Sequence, residues 1–358
     1  GAGAAEEARG AEVLDAGGRL LIPGLIDLHV HGAGGGDAMD GTAEAITTVA
    51  RTLARLGTTS FLATSFLHPE GGDAHLPVIA EAVGKDVGGA RVLGQHLEGP
   101  FISPARRGGI PAAALRPSSP ELLGTLLERA GGTLRMMTVA PELPGAMALL
   151  PAMEAAGVVA SFGHSDASYD EARSAFDAGI RHVTHLYNAM PSLHHRDPGP
   201  LPAIFETPGV VVQLISDGAH VAPPVLRWTA ATLGAGRCAC ITDGLRSSGL
   251  ADGRYDYGGR PFEARDGIAR YPDGTLVGTT LGLLGVVRRF AEYTGLPFAT
   301  AVDTASRVPA RVLGLEHRKG RIAEGFDADL VLLEDDGSVH ATLVAGVPVH
   351  RGSTIDNR

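Results

Sequence analysis

Cysteine, lysine and net positive charge are all scarce in this 358-residue chain, and each scarcity closes off some chemistry. The two cysteines, Cys238 and Cys240, stand too close along an extended strand to make a good disulfide, so both are expected to be reduced packing residues. The two lysines, Lys85 and Lys319, both fall away from the ends of strand-like runs. Lys and Arg together number 30 against 40 Asp and Glu, a formal net charge of -10. That balance argues against a broad nucleic-acid surface, which needs clustered cations to neutralise phosphates, although a local arginine can still hold a small anion. No apolar run approaches the roughly 20 residues needed to cross a bilayer. The opening GAGAAEEARG has neither the basic nor the apolar stretch of a signal peptide, so a cytoplasmic protein without membrane contact is expected.

What the chain does have is alternation. Eight short β-branched or apolar runs are separated by helix-like stretches: LIDLHVH (25–31), TTSFLATS (58–65), VLGQHLEG (92–99), LRMMTVAPE (134–142), VVASFGHS (158–165), HVTHLYN (182–188), VVVQLISDG (210–218) and ACITDG (239–244). Eight such units are the count for a closed α/β architecture, the (β/α)8 or TIM-like barrel. Both chain ends differ from this pattern, reading as short strands with Gly and Asp turns. The expected organisation is a small β-sandwich domain built from both ends, residues 1–22 and 316–358, flanking a barrel over 23–315.

Barrel chemistry sits at the C-terminal ends of the strands. In LIDLHVH, side chains at i and i+2 share a face roughly 6.5 Å apart, so His29 and His31 point the same way. The other strand ends carry Glu98, Glu142, His164, His185, Asp217 and Asp243. Taken as one site, His29, His31, Glu98, His164, His185 and Asp243 offer four nitrogens and two carboxylates. That set suits zinc, iron or a similar divalent metal better than magnesium, and six ligands suffice for two ions with Glu98 as the bridge. Such a site lowers the pKa of a bound water and polarises a carbonyl, so hydrolysis of an amide or ester is the natural reaction. Asp243 is the candidate to take the water's proton and hand it to the leaving amine. Singly, each residue has a plainer reading: Glu98 as a turn cap, His164 as a polar core residue, Asp243 as a helix cap. Glu142 and Asp217 are read as loop caps, and His182, His194 and His195 as exposed or lying behind the ligands.

These residues fall within motifs that resemble one family. PGLIDLHVHG, HLEGPFISP, GHSDASYDEA, HVTHLYNAMPSLHHRDPG, SDGAHV and ITDG, in that order, are similar to the N-acetylglucosamine-6-phosphate deacetylases of the amidohydrolase superfamily. The likeness runs from about Leu14 to the C-terminus and includes PARVLGLEHRKGRIAEGFDADLVLL. HLEGPF and THLYNAM are specific, whereas HxH is shared across the superfamily. The resemblance implies a metal-dependent hydrolase that removes the acetyl group from N-acetylglucosamine-6-phosphate. It implies Glu98, His164 and His185 as ligands of a main metal, His29 and His31 as the pair holding a second, and Asp243 as the acid/base. Asn188, Ala189, Arg196 and His220 match substrate contacts. The equivalent of Arg196 reaches the substrate phosphate of a neighbouring subunit, which implies a homodimer.

Three departures bear on the substrate. The family usually has a basic residue, glycine, a small residue and histidine after LEGPF, whereas here Arg107-Gly108-Gly109 is followed by Ile110. Its TDA is Thr242-Asp243-Gly244, and its LAGS is Leu276-Val277-Gly278-Thr279. Deacetylation of a related N-acetyl amino sugar or an N-acyl amino acid is therefore the alternative. Cyclic amidases share the barrel but bridge their metals with a carboxylated lysine on strand four, and here that strand ends in APE. A sugar-phosphate-binding barrel without activity is expected to have lost a ligand or Asp243, and none is missing.

Overall fold

The structure is a computed structural model that describes residues 15–352. Of the expected N-terminal β segment, residues 1–14 lie outside the described residues, and the remainder supplies β1 (Leu20–Pro23). Eight parallel strands follow: β2 (Leu25–Val30), β3 (Thr58–Ser65), β4 (Arg91–Glu98), β5 (Leu134–Val139), β6 (Val159–Phe162), β7 (His182–Val183), β8 (Val211–Leu214) and β9 (Cys238–Cys240). They pair in sequence order from β2 to β9, which is the barrel expected from the alternation. β3 is buried along its whole length, as a strand covered by helices on one face and the barrel interior on the other must be.

The barrel closes at a seam of backbone bonds rather than a full ladder. Asp243 N donates to His29 O (2.9 Å) and His31 N to Gly244 O (2.8 Å). Asp27 clasps the same seam from inside, accepting from Thr242 Oγ1 at 2.6 Å and from the His29 amide at 3.2 Å. Burial pushes the Asp27 carboxyl up to about 6, against the pull of these hydrogen bonds.

Some strands are shorter than the sequence pattern suggests, for a common reason. The run 182–188 is extended only at β7, because His185 (φ 23°), Tyr187 (φ 76°) and, just beyond, Ala189 (φ 51°) adopt left-handed backbone. The run 239–244 leaves regular pairing after Cys240, and Asp243 has φ 49°. His164, after β6, is at φ 49°. Non-glycine residues rarely adopt this conformation, and here it turns side chains from the sheet into the barrel mouth. Cys238 and Cys240 are buried free thiols, pushed by burial up to about 12 and 11.

The small domain is a four-stranded antiparallel sheet in which β1 pairs with a strand from near the C-terminus. A second antiparallel sheet, within the segment expected to be barrel, was not anticipated. It is a meander of β10 (Gly253–Tyr257), β11 (Arg260–Arg265), β12 (Ile268–Arg270) and β13 (Leu276–Thr279), followed by β14 (Leu330–Leu333), β15 (Val339–Val344) and β16 (Val347–Arg351) of the small domain. The meander folds over the barrel mouth, packing Tyr257, Phe262, Tyr271 and Val277 against Phe66, Ile102 and Ile110 in one apolar cluster. Among the described residues, no helix is long and apolar enough to cross a membrane.

Candidate metal centre and active site

Six strand-end side chains meet at the barrel mouth. Glu98 Oε1 lies 3.0 Å from His185 Nε2, 3.1 Å from His164 Nε2 and 3.3 Å from His29 Nε2, while its Oε2 lies 3.3 Å from His31 Nε2. Asp243 Oδ1 is 3.3 Å from His29 Nε2 and 3.4 Å from His31 Nε2. The donors form two groups, Glu98 with His164 and His185, and His29 with His31 and Asp243. In a tetrahedral site with bonds of about 2.0–2.1 Å, neighbouring donor atoms stand about 3.3 Å apart. The observed spacings match that figure, and Glu98 touches imidazoles of both groups, as a bridging carboxylate does.

Partners behind the ligands fix which ring nitrogen faces the centre. His29 Nδ1 is 3.1 Å from Gln213 Oε1, His164 Nδ1 is 2.7 Å from Arg106 O, and His31 Nδ1 is 3.0 Å from the Tyr257 hydroxyl. With Nδ1 protonated and engaged, each Nε2 is left as a lone pair aimed at the donor cluster. His185 Nδ1 is buried with no hydrogen-bond partner among the described residues. The fold around these loops is anchored locally. Ser168 caps the helix Tyr169–Asp177 reciprocally with Glu171, and Glu142 accepts from Ser165 Oγ and the Asp166 amide, holding the loop that carries His164.

Charge in the cluster is tightly balanced. Burial disfavours imidazolium at His31, yet the hydrogen bonds that its ring donates to Asp243 and Glu98, and their negative charge, lift it to about 10. Burial likewise opposes ionisation of Asp243, but the charges of His29 and His31 bring its carboxyl down to about 2. Without an ion the carboxylates are neutralised by protons on the imidazoles. A divalent cation bound there would satisfy the same carboxylates and displace those protons, so acid would compete with metal.

A cavity of about 230 Å³ opens onto the cluster. Its walls include His31, Glu98, His164, His185 and Asp243, together with Asn188, Ala189 and His220. His220 Nδ1 is 2.6 Å from Asp217 Oδ2, and Asp217 Oδ1 also accepts from the Ala219 and His220 amides. Asp217 is thus a loop cap that also orients His220. Ile110, where the resemblance implied a histidine, lies on the wall with Leu276 and Val277 from the meander. Arg196 is not among the lining residues. Its exposed guanidinium lies 2.7 Å from His195 Nε2. His194 and His195 are exposed, but His182 is buried inside the barrel on Ser161 Oγ, which corrects the exposed alternative of its reading. A larger cleft, about 470 Å³, lies at the opposite end of the barrel and contains none of the donor cluster.

The amidohydrolase family profile matches residues 20–349. An N-acetylglucosamine-6-phosphate deacetylase of Bacillus subtilis is 37% identical over 331 residues, covering 91% of this chain and 84% of that protein. The chain belongs to the amidohydrolase family, in its N-acetylglucosamine-6-phosphate deacetylase branch. An N-acetylgalactosamine-6-phosphate deacetylase of Escherichia coli O157:H7 is 35% identical, covering 91% of this chain and 87% of that one. The crystal structure of N-acetyl-D-glucosamine-6-phosphate deacetylase from Mycobacterium smegmatis superposes with a TM-score of 0.87 at 36% identity, covering 93% of this chain and 88% of that one. Amidohydrolases are metal-dependent, and the two donor groups of this amidohydrolase are the candidates for its ions.

Three supporting residues were missed from sequence: Tyr257, Gln213 and Asp27. Gln213 carried a signal, as the lone amide in the apolar run VVVQLI.

Proposed function

We propose that this amidohydrolase removes the acetyl group of N-acetylglucosamine-6-phosphate, giving the free amine and acetate, with one or two divalent ions, zinc or iron, held by His29, His31, Glu98, His164, His185 and Asp243. The observation that carries the reading is the convergence of four imidazole nitrogens and two carboxylates at tetrahedral-edge spacings at the barrel mouth, where all but His29 line one cavity. When bound, the ion lowers the pKa of its water toward about 7 and polarises the amide carbonyl. Asp243 accepts the water's proton as oxygen adds to the acetyl carbon, then returns it to the nitrogen as the C–N bond breaks. His220, held by Asp217, directs its remaining nitrogen to the carbonyl or the sugar. Asn188 and Ala189 line the sugar's side of the cavity.

No lysine or arginine is among the described residues lining that cavity. A phosphate therefore calls for a cation from outside it, and we assign Arg196 of a second copy of the chain, in a homodimer. The E. coli relative acts on the galactosamine sugar, so the orientation at C4 is part of the test. Acetate release from 6-phosphorylated N-acetylglucosamine, 6-phosphorylated N-acetylgalactosamine, the unphosphorylated sugars and N-acetyl amino acids is compared in one assay. The first is expected to turn over fastest. Faster turnover of an N-acetyl amino acid would overturn the reading. Elemental analysis of protein purified without chelator is expected to find zinc or iron, and less than about 0.2 ion per chain with activity retained rules out the metal mechanism.

A further inference from the structure

We infer that Tyr257, delivered by the inserted meander, is a positioning residue for His31 and sets the affinity of the His29, His31 and Asp243 group for its ion. The inference rests on the metal reading above and adds a residue and an element to it.

His29 and His164 take their orienting acceptors from the barrel and its loops, Gln213 on β8 and the carbonyl of Arg106. His31 differs. Its Nδ1 meets the Tyr257 hydroxyl at 3.0 Å, and Tyr257 belongs to a segment that joins the mouth only after the eighth strand. Both groups are buried, so no bulk water replaces that bond. The geometry of the ring is fixed from several sides. Tyr257 stands edge-on to His31 at 5.3 Å and to Phe66 at 5.5 Å. Its hydroxyl is an ordinary phenol, able to accept as well as donate a hydrogen bond. A neutral phenol oxygen accepts the Nδ1 proton and so leaves His31 Nε2 as the donor to a cation.

The same element walls the cavity. Thr275, Leu276 and Val277 line it together with Tyr257. Gly278, at φ 153°, lets β13 lie against the Asp243 backbone, where an added Cβ would come within 2.3 Å of Asp243 O. One meander thus orients His31, abuts the backbone of Asp243 and closes the substrate cavity, so docking of the meander and retention of the ion are coupled.

Cobalt titration of the metal-free chain, followed by its visible spectrum and by elemental analysis, tests this. In Tyr257→Phe the ion at His29, His31 and Asp243 is expected to bind about 10–100-fold more weakly, while the ion at Glu98, His164 and His185 stays within about threefold of wild type. Phe66→Leu loosens the ring's packing but keeps the hydroxyl, and should leave both affinities within about threefold. Unchanged binding in Tyr257→Phe, equal weakening at both groups, or an equal loss in Phe66→Leu would each overturn the inference. Wild-type chain that takes up no second ion overturns it too, and wild-type chain that takes up no ion at all defeats the metal reading itself.

Discussion

His29 and His31 at the barrel mouth and His96 and His182 further down are equally buried, yet their protons are governed in opposite directions. Burial disfavours the charged ring in all four. At the mouth, Asp243 and Glu98 overcome it, and both His29 and His31 are raised. Lower down the hydrogen-bond partners are hydroxyls. His96 Nε2 meets Thr138 Oγ1 at 2.9 Å, Thr138 meets Thr184, Thr184 meets Ser161, and Ser161 Oγ meets His182 Nδ1 at 2.9 Å. Burial there pushes His96 well below its ordinary range and His182 down to about 3. His29 and His96 are only 4.6 Å apart, ring to ring. Two carboxylates within reach separate His29 and His31 from the neutral polar core, whereas His185, which touches Glu98 alone, is lowered by its burial; the count of histidines says little.

The contrast breaks most severely at Glu98, which touches four of the mouth imidazoles. Glu98→Gln keeps the shape and removes the charge, and is expected to leave less than about 0.2 ion per chain and to cost more than about 10³-fold in turnover, since metal stabilisation of the reacting oxygen is worth several kcal/mol. Elemental analysis with an acetate-release assay checks both. A variant that still holds its ions would mean that imidazoles alone make the site, and the distinction drawn here fails.

Asp243 sharpens the comparison by separating holding from proton transfer. Asp243→Asn is expected to retain the ion at Glu98, His164 and His185 but to lose about 10²–10⁴-fold in kcat, because an amide does not accept the water's proton. A kcat within about threefold of wild type would assign the transfer to another group.

The mouth is rich in carboxylates and imidazoles and poor in guanidinium groups, which makes Arg196 the next test. Arg196→Ala is expected to lower kcat/KM for the phosphorylated sugar by about 10²-fold, or about 2.7 kcal/mol, while unphosphorylated N-acetylglucosamine is nearly unaffected. Equal losses on both sugars, or none on either, would leave Arg196 as a loop residue beside His195.

Sequence made the mouth legible because each donor sits at the end of a local hydrophobic run, where strand period and barrel rule act over a few residues. It was less informative wherever side chains from distant segments meet. The Tyr257 bond to His31 spans 226 residues of chain, and no local pattern encodes it. The meander itself was readable in part. Gly258-Gly259 joins Tyr257 to its partner Arg260, and Asp266-Gly267 joins Arg265 to Ile268, both two-residue turns with positive φ at each position. Charged residues on its exposed face, as in RPFEAR, obscured the strands between them. Strand lengths near the site were overread because left-handed residues such as His185 look like any other in sequence.

The smallest expected effect lies at the neutral end of the comparison. The folded His182 ring stays neutral down to about 3, whereas in the unfolded chain it takes up a proton near its ordinary value of 6.5. Between those values the unfolded state binds more protons, so stability rises with pH and is lost on acidification below about 6.5. His182→Gln removes this term while keeping a polar side chain beside Ser161. His75, brought down to about 4 mainly by burial, acts in the same sense and remains in the variant, so the difference between the two proteins isolates His182. Urea midpoints at pH 7 and pH 5, both measured with chelator, are expected to show wild type losing about 1–2 kcal/mol more than His182→Gln over that interval. Parallel losses would mean that the folded ring accepts a proton among its hydroxyl neighbours, and that a carboxylate is not what divides the two sets of histidines.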